Sequence, residues 1–178
     1  MTKRIILRDI NPEDEKDLIR NINNLEVSKY LILVPHPYTK KDAKWWINNC
    51  EKAAKEKPRK KYSFSIELKS KKGVIGAVGL EKIDFFQGTA TIGYWLGEDY
   101  WRQGIMQEAT RAVIDYAFKK LKLRRIDVEA FAENKGSNAL IKKLGFKYEG
   151  TMKKKCRAKA TGKIHDAHFY GLLKNNWK

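Results

Sequence analysis

The chain has 178 residues, of which 38 are Lys or Arg and 21 are Asp or Glu, so its formal net charge at pH 7 is +17. Its hydrophobic content of 42% and aromatic content of 11% suffice for one folded domain over residues 1–178 and argue against disorder. No stretch approaches about 18 consecutive apolar residues, and the N-terminus lacks the apolar core of a secretion signal, so we expect a cytoplasmic protein without a membrane span. Two distant cysteines and three histidines exclude a disulfide framework and the usual zinc spacings, so no metal is expected.

The N-terminal part of the chain is predicted to form one strand and two helices. Residues 5–7 are typical of a strand, and the capping signals at 11–14 start a short helix. A second capping signal at 39–42 starts an amphipathic helix that ends before Pro58. The apolar residues expected to face inward on these helices are Leu18, Ile19, Ile22, Ala43, Trp46, Ile47, Cys50 and Ala54. The basic segment 55–61 follows as a solvated loop, with contact to a polyanion as the alternative.

From Tyr62 onward the apolar residues alternate with polar ones, which predicts a hairpin with strands at 62–68 and 74–80 and a turn at 71–73. The later elements are a strand at 89–96, the longest helix of the chain at 104–121, a strand at 126–131, a short helix at 137–144 closed by Gly145, and strands at 146–156 and 165–173. This order indicates an α/β (α+β) fold in which helices cover the faces of a mixed sheet.

The segment from Ile92 to Ala109 runs from a strand through a short polar turn into the long helix. Such a turn leaves backbone N–H groups unpaired at the positive end of the helix dipole, which favours a bound phosphate group. Gly104 permits close approach of a ligand to the backbone, and Arg102 adds a positive charge beside it. The alternative is that Gly104 is an ordinary loop glycine before a helix.

These motifs together resemble the GNAT superfamily of acetyl-CoA-dependent N-acetyltransferases, in particular its ribosomal-protein N-terminal acetyltransferase branch. The resemblance covers nearly the whole chain and rests on the motifs ILR at 6–8, IGYWL at 92–96, YWRQGIMQEA at 100–109, NKGSN at 134–138, KLGF at 143–146, EG at 149–150 and DAHFY at 166–170. It implies a twisted, mostly antiparallel mixed sheet of about seven strands with about four helices. The sheet would be split between its fourth and fifth strands, where the pantetheine arm of acetyl-CoA enters.

The resemblance also assigns cofactor contacts by position. They fall on Leu96, Arg102, Gln103, Gly104, Ile105, Met106, Gln107, Asn134 and Lys142, with the pyrophosphate held mainly by backbone N–H groups. The sequence departs from the family pattern at Met106, where the family has Gly or Ala, and at Arg102, where Gly is usual. Crowding of the loop by Met106, with weaker cofactor affinity, is therefore a hypothesis.

Two residues are assigned catalytic roles by the resemblance. Ser137 would protonate the departing CoA thiolate, with an ordinary first-turn helix residue as the alternative. The tyrosine that many family members use as this acid is replaced by Ile141. Tyr170 matches the pattern of the branch, with packing in a strand as the alternative.

No general base is evident, because the fourth strand offers only Thr91 and residues 151–165 contain no acid. Asp127, Glu129 and His165 remain open as candidates, beside deprotonation through water. A lysine amine with a pKa of about 10.4 is neutral in only about one molecule in 2,500 at pH 7, whereas an α-amine near 7.7–8 is neutral in about a tenth. A site without an evident base therefore favours an α-amine. No Cys or Ser stands with a His as a nucleophile, so we expect direct transfer.

The expected acceptor is a protein N-terminus, displayed on a ribosome, and the expected assembly is a monomer or a homodimer. The alternatives are a small-molecule amine such as a polyamine or an aminoglycoside, and, in another class, a basic RNA- or ribosome-binding module without turnover. Aromatic and neighbouring residues near the second helix would line the acceptor groove or lie in the core: Tyr30, Pro35, His36, Pro37, Tyr38, Trp45 and Trp46. Arg102, Lys142 and Lys143 would face the CoA phosphates, and the basic stretches at 55–61 and 153–163 favour contact with RNA.

Overall fold

The fold was obtained as a computed structural model, which describes residues 2–177. Its seven strands form one sheet in the order β1-β2-β3-β4-β5-β7-β6. The strands are β1 Ile5–Asp9, β2 Tyr62–Leu68, β3 Lys71–Asp84, β4 Thr89–Leu96, β5 Arg125–Phe131, β6 Lys147–Arg157 and β7 Ile164–Leu173. The α-helices of the described part are α1 Glu15–Ile22, α2 Leu25–Ser28, α3 Lys40–Lys55, α4 Ile105–Lys119 and α5 Lys135–Lys143. Among the strands of residues 2–177 only β4 and β5 pair in parallel, so the predicted mixed, mostly antiparallel sheet is confirmed.

The capping signals act where the sequence places them. Thr39 and Asp42 form a reciprocal capping box at the start of α3. Asn11 caps a short 3-10 turn at Pro12–Asp14, and α1 itself begins one residue later. On α3 the last inward residue is Ala53, not the predicted Ala54. The short helix α2 was not predicted, because four residues are too few to show a period.

Two further expectations are wrong. The turn of the β2–β3 hairpin lies at residues 69–70, and β3 already begins at Lys71. Gly73 serves close packing instead, because a Cβ there would stand 2.6 Å from Asp17 Oδ2, the atom that accepts the Val74 N–H. The helix at Ile105–Lys119 has 15 residues, one fewer than α3, so it is not the longest helix.

Helices cover both faces of the sheet. Helices α4 and α5 bury the main core, in which Ile92 and Leu96 of β4 point to their side. Trp95, which directly precedes Leu96, points to the opposite face and packs against the clusters of α1 and α3. Within residues 2–177 no helix is both long and apolar enough to cross a bilayer.

Candidate active site

Strands β4 and β5 separate partway along their length. Their paired register comprises Thr89 with Arg125, Ala90 with Ile126, and Thr91 with Asp127, and it does not continue beyond them. On its other side β4 stays paired with β3 as far as Leu96. The backbone of β4 after Thr91 therefore faces an opening in the middle of the sheet, as the resemblance implies.

The turn before α4 forms a cradle of backbone donors next to this opening. Gly104 is the N-cap, with φ +73°, and no side chain caps the helix from there. The first N–H groups of α4 thus lack acceptors within the helix and lie at the positive end of its dipole. The arrangement fits a pyrophosphate, and a Cβ on Gly104 would approach Arg4 Nη2 to 3.5 Å.

Arg4, near the N-terminus, holds this cradle in place by hydrogen bonds. Its Nη1 donates to Gln103 O at 2.8 Å, and its Nε donates to Glu108 Oε2 at 2.9 Å. Burial alone would raise the pKa of the Glu108 carboxyl, but the hydrogen bonds from Arg4 hold that pKa below its usual value. Gln103 Nε2 in turn donates to Asp99 O at 2.9 Å. Sequence reasoning missed Arg4 and Glu108, because residues 104 positions apart give no local signal.

Both departures from the family pattern in the cradle have a structural account. The side chain of Met106 is 8% exposed and belongs to the main core, so it points away from the cradle and does not crowd it. Arg102 has φ +60°, the left-handed conformation in which glycine is usual. Leu96 is buried at the end of β4, and its carbonyl accepts the Trp101 indole N–H at 2.8 Å.

Ser137 and Tyr94 meet across the opening. The two hydroxyl oxygens lie 2.9 Å apart, and Asn134 Oδ1 accepts the Ser137 N–H at 3.1 Å. Burial raises the pKa of Tyr94 to about 12, so its hydroxyl stays protonated at neutral pH and can donate. Tyr94 shares the α4 and α5 side of β4 with Ile92 and Leu96, and only the tertiary structure brings its hydroxyl to Ser137.

Tyr170 lies in the core with a structural partner. It is 2% exposed, and its hydroxyl donates to Asn138 Oδ1 at 2.7 Å. The Asn138 amide nitrogen donates to the carbonyls of Phe131 and Asn134 at 3.0 and 2.8 Å. Tyr170 thus ties β7 to the start of α5, and its catalytic role stays a prediction.

Lys142 lies on another side of α5 from Ser137. Five residues along a helix correspond to about 140° around its axis. There Lys142 lines an open cavity of about 620 Å³ together with Tyr148, His168 and Tyr170. Its assignment to the cofactor stays a prediction.

The three candidate bases, two on β5 and one on β7, have different surroundings on the face of the sheet away from α4. Asp127 accepts a hydrogen bond from Arg125 Nε at 2.6 Å. His165 Nδ1 is paired with Glu133, and the His165 ring stacks on Phe131 at 4.4 Å between centroids. Among the described residues Nε2 of His165 is buried without a partner.

Glu129 is the candidate base with an unpaired carboxylate. It is half-buried, and within residues 2–177 no hydrogen bond or ion pair engages it. Because Thr91 and Asp127 are paired, the next positions on the same face are Gly93 and Glu129, on either side of the opening. A Cβ on Gly93 would meet nothing within 4 Å, so there is free space beside Glu129.

The residues expected to line the acceptor groove divide between core and surface. Tyr38 is buried, and burial raises the pKa of its hydroxyl well above the usual value. Trp46 packs against the α1 and α3 cluster, whereas Trp45 is 64% exposed.

The Lys159 N–H donates to Ile32 O at 3.0 Å, which joins the β6–β7 loop to the segment after α2.

Metal and thiol chemistry find little support in the described residues. Residues 2–177 contain no cluster of three or more His, Cys, Asp or Glu side chains that could hold a metal. Cys50 and Cys156 are buried free thiols. Burial raises the pKa of the Cys156 thiol, and the nearby charge of Glu129 raises it further, so the thiolate nucleophile is disfavoured.

Known proteins share this architecture. The family model for the acetyltransferase (GNAT) domain matches residues 4–147. An uncharacterized N-acetyltransferase of Bacillus licheniformis, p20, is 34% identical over 178 residues, which cover 99% of this chain and 96% of that protein. The ribosomal-protein-S5-alanine acetyltransferase of Vibrio fischeri superposes with a TM-score of 0.84 at 22% identity, covering 100% of this chain and 97% of that chain. The spermidine N-acetyltransferase of Vibrio cholerae, in complex with CoA and spermine, gives 0.81 at 21% identity, covering 97% and 96%.

The two solved structures establish the fold, and the family model and p20 extend the likeness to the sequence. The divided sheet and the donor cradle before α4 are the features that the resemblance implied. The chain belongs to the GNAT family and is an acetyl-CoA-dependent N-acetyltransferase.

Proposed function

We propose that the enzyme acetylates the N-terminal α-amine of a protein. The observation that carries this proposal is the unpaired carboxylate of Glu129 beside the free space at Gly93. One carboxylate there suits one ammonium group. A polyamine carries several ammonium groups, and β4 and β5 provide only one other acid, Asp127, whose charge is paired with Arg125.

The cradle and the opening would hold the cofactor in an extended form. Backbone N–H groups of residues 102–107 would hold the pyrophosphate, and Leu96 at the end of β4 and Asn134 at the start of α5 would contact the rest of the cofactor. Lys142 is assigned to the CoA phosphates. Acetyl-CoA, when bound, supplies an acetyl group activated as a thioester.

The Glu129 carboxylate holds the ammonium group of the acceptor, and water removes a proton from that ammonium group. An α-amine with a pKa of about 7.7–8 needs only about 1 kcal/mol to become neutral at pH 7, whereas a lysine amine needs about 4–5 kcal/mol. Glu129 therefore needs only to hold the amine beside the thioester, and the acceptor supplies enough of its neutral form. This difference favours a protein N-terminus over a lysine side chain.

Ser137 completes the transfer on the other side of the opening. Its hydroxyl gives a proton to the departing thiolate while the neutral Tyr94 hydroxyl donates a hydrogen bond to Ser137 Oγ, and water returns to Ser137 the proton that the amine nitrogen loses as the amide forms. Tyr170 keeps α5, and with it Ser137, in place through Asn138.

The acceptor class decides between the two functions that the fold allows. Ribosomal-protein and spermidine acetyltransferases both share this architecture. A ribosome-displayed acceptor would place the enzyme in the cytoplasm.

The test is release of CoA thiol from acetyl-CoA with three acceptor panels: N-terminal peptides, the same peptides with a blocked N-terminus and a free lysine, and polyamines with aminoglycosides. Turnover should require the free N-terminus, and mass spectrometry should locate the acetyl group on it. Turnover restricted to polyamines or aminoglycosides would overturn the proposal. Calorimetric titration with acetyl-CoA is the control for a folded cofactor site.

A further inference from the structure

The hairpin between β3 and β4 presents two phenyl rings to solvent. Phe86 is 93% exposed and Phe85 is 42% exposed. The tip is held in shape by the Gln87 N–H, which donates to Asp84 Oδ1 at 2.8 Å. Phenyl rings this exposed cost hydration free energy, and no core contact of the hairpin explains them.

Basic segments from three other parts of the chain meet this hairpin. The Arg124 N–H donates to Gly88 O at 2.8 Å, and Arg124 Nε donates to Gln87 O at 2.6 Å. The Lys174 N–H donates to Arg124 O at 3.0 Å. On the opposite flank the Ile83 N–H donates to Lys60 O at 3.3 Å. Segment 55–61 and the α4–β5 loop therefore contact the backbone of this hairpin or of its first strand, and the residue after β7 contacts the α4–β5 loop.

We call this region the hairpin surface. It consists of Phe85 and Phe86 with the exposed cations Lys60, Lys82, Lys120, Lys122, Arg124 and Lys174. Within the described residues none of these six cations has a carboxylate partner, whereas Lys61 and Lys119 beside them are paired with Glu81 and Asp115. The hairpin surface thus combines six cations without a carboxylate partner, against the single carboxylate of Asp84 at the tip, with two exposed aromatic rings.

Two of these lysines occupy backbone positions that favour other residues. Lys82 has φ +51° and Lys122 has φ +60°, where Gly or Asn would fold at lower cost. Lysine at both positions adds charge to the hairpin surface without any packing gain.

We propose that the hairpin surface binds single-stranded RNA. Lysine and arginine side chains attract the phosphates, and exposed aromatic rings stack on unpaired bases of any sequence. Two rings suffice for this mode, because each ring serves one base. They are too small an apolar area for a membrane anchor, which relies on the extended apolar face of a helix.

The hairpin surface lies apart from the acetyl-transfer site. It adjoins the first residues of β4, whereas the cofactor cradle follows the last, and eight strand residues span about 24 Å. The opening at Gly93 is nearer, four residues or about 13 Å from Thr89, and RNA bound at the tip of the hairpin leaves it accessible. The inference is therefore independent of which amine is the acceptor.

Fluorescence anisotropy with a labelled oligouridylate tests the proposal on the full chain. Phe85→Ser with Phe86→Ser should weaken binding by at least about fivefold, since base stacking contributes about 1–3 kcal/mol per base. Lys120→Glu with Lys122→Glu should reduce the slope of log affinity against log salt by about 1.4, because each single-strand phosphate contact contributes about 0.7. The matched control Lys16→Glu with Lys72→Glu changes the net charge equally outside the hairpin surface and should keep the wild-type slope.

Melting temperature and acetyl-CoA binding show whether each variant is folded. If the phenylalanine variant is unfolded, the lysine variant alone tests the proposal. Equal RNA affinity in the wild type and both hairpin variants would overturn the proposal, as would a wild type that binds no RNA. Vesicles of phosphatidylcholine and phosphatidylserine form the second arm. Binding to vesicles that depends on Phe85 and Phe86, without such dependence for RNA, would assign the hairpin surface to a membrane instead.

Discussion

Replacement of Tyr170 by Phe separates the structural role of this residue from a catalytic one. The substitution removes only the hydroxyl that donates to Asn138 Oδ1 at 2.7 Å. Asn138 is 8% exposed, and its amide nitrogen remains bonded to the carbonyls of Phe131 and Asn134. The side chain therefore cannot turn its oxygen toward water without losing those bonds.

The expected cost follows from this geometry. A buried acceptor left without a donor destabilises the folded state by about 1–3 kcal/mol. For a chain of this length 1 kcal/mol lowers the melting temperature by about 2–4 °C, so Tyr170→Phe should lower it by about 6 °C. Because Ser137 stays in the first turn of α5, kcat should stay within about threefold of the wild type, whereas loss of a catalytic proton donor costs about 100-fold.

Thermal denaturation followed by circular dichroism, together with the thiol-release assay below the transition, measures both quantities. Tyr148→Phe is the matched control, since that hydroxyl contacts Thr151 at the surface and its loss should change the melting temperature by less than about 2 °C. An unchanged melting temperature with a 100-fold lower kcat would refute the structural role and make Tyr170 a catalytic residue.

Substitutions at three further positions test the cradle and the opening. Ser137→Ala should lower kcat by about 100-fold, and Ser137→Thr, which keeps a hydroxyl, should recover part of it in the same assay. Glu129→Gln should raise KM for an N-terminal peptide by about tenfold, and its kcat/KM should still rise with pH through the acceptor's own pKa near 8. If the wild-type pH profile is bell-shaped and the variant lacks its acidic limb, Glu129 is the general base. Arg4→Ala should raise KM for acetyl-CoA several-fold with little change in KM for the peptide. The pKa of the Glu108 carboxyl is lower in the folded state than in the unfolded state, so its ion pair with Arg4 stabilises the fold above the unfolded-state pKa. This stabilisation is lost as the pH falls through the folded-state pKa. The difference in stability between the wild type and Arg4→Ala should therefore shrink below about pH 4 in acid titrations.

Local patterns predicted most of the elements. Strand β4 has the bounds that period-two alternation predicts, and the capping box at Thr39 starts α3. Gly145 has φ +91°, as expected for a residue that ends a helix in a left-handed cap. These signals succeed because alternation, capping and glycine conformations depend on residues a few positions apart.

The misplaced turn of the β2–β3 hairpin shows where local reasoning ends. Lys71-Lys72-Gly73 has turn composition, but the Gly73 position is set by the Asp17 carboxylate of α1, more than fifty residues earlier. The same limit applies to Arg4, whose contact with Glu108 no spacing could reveal. The resemblance assigns the cofactor to the turn before α4 and a catalytic role to Ser137, but it names neither Arg4, which bonds to that turn, nor Tyr94, which bonds to Ser137.

The sequence by itself determined the order of elements, the glycine-containing turn before a helix and the excess of positive charge, because each is a property of composition or of neighbouring residues. Only the tertiary structure decided which groups act together. It bonds Arg4 to the cradle, brings the Tyr94 hydroxyl to Ser137, leaves Glu129 unpaired beside Gly93, and joins the loop that carries Arg124 to the hairpin that carries Phe86. The physical reason is that charge, hydrogen bonding and burial act over a few ångströms in space, and the sheet sets those distances between residues far apart in the chain.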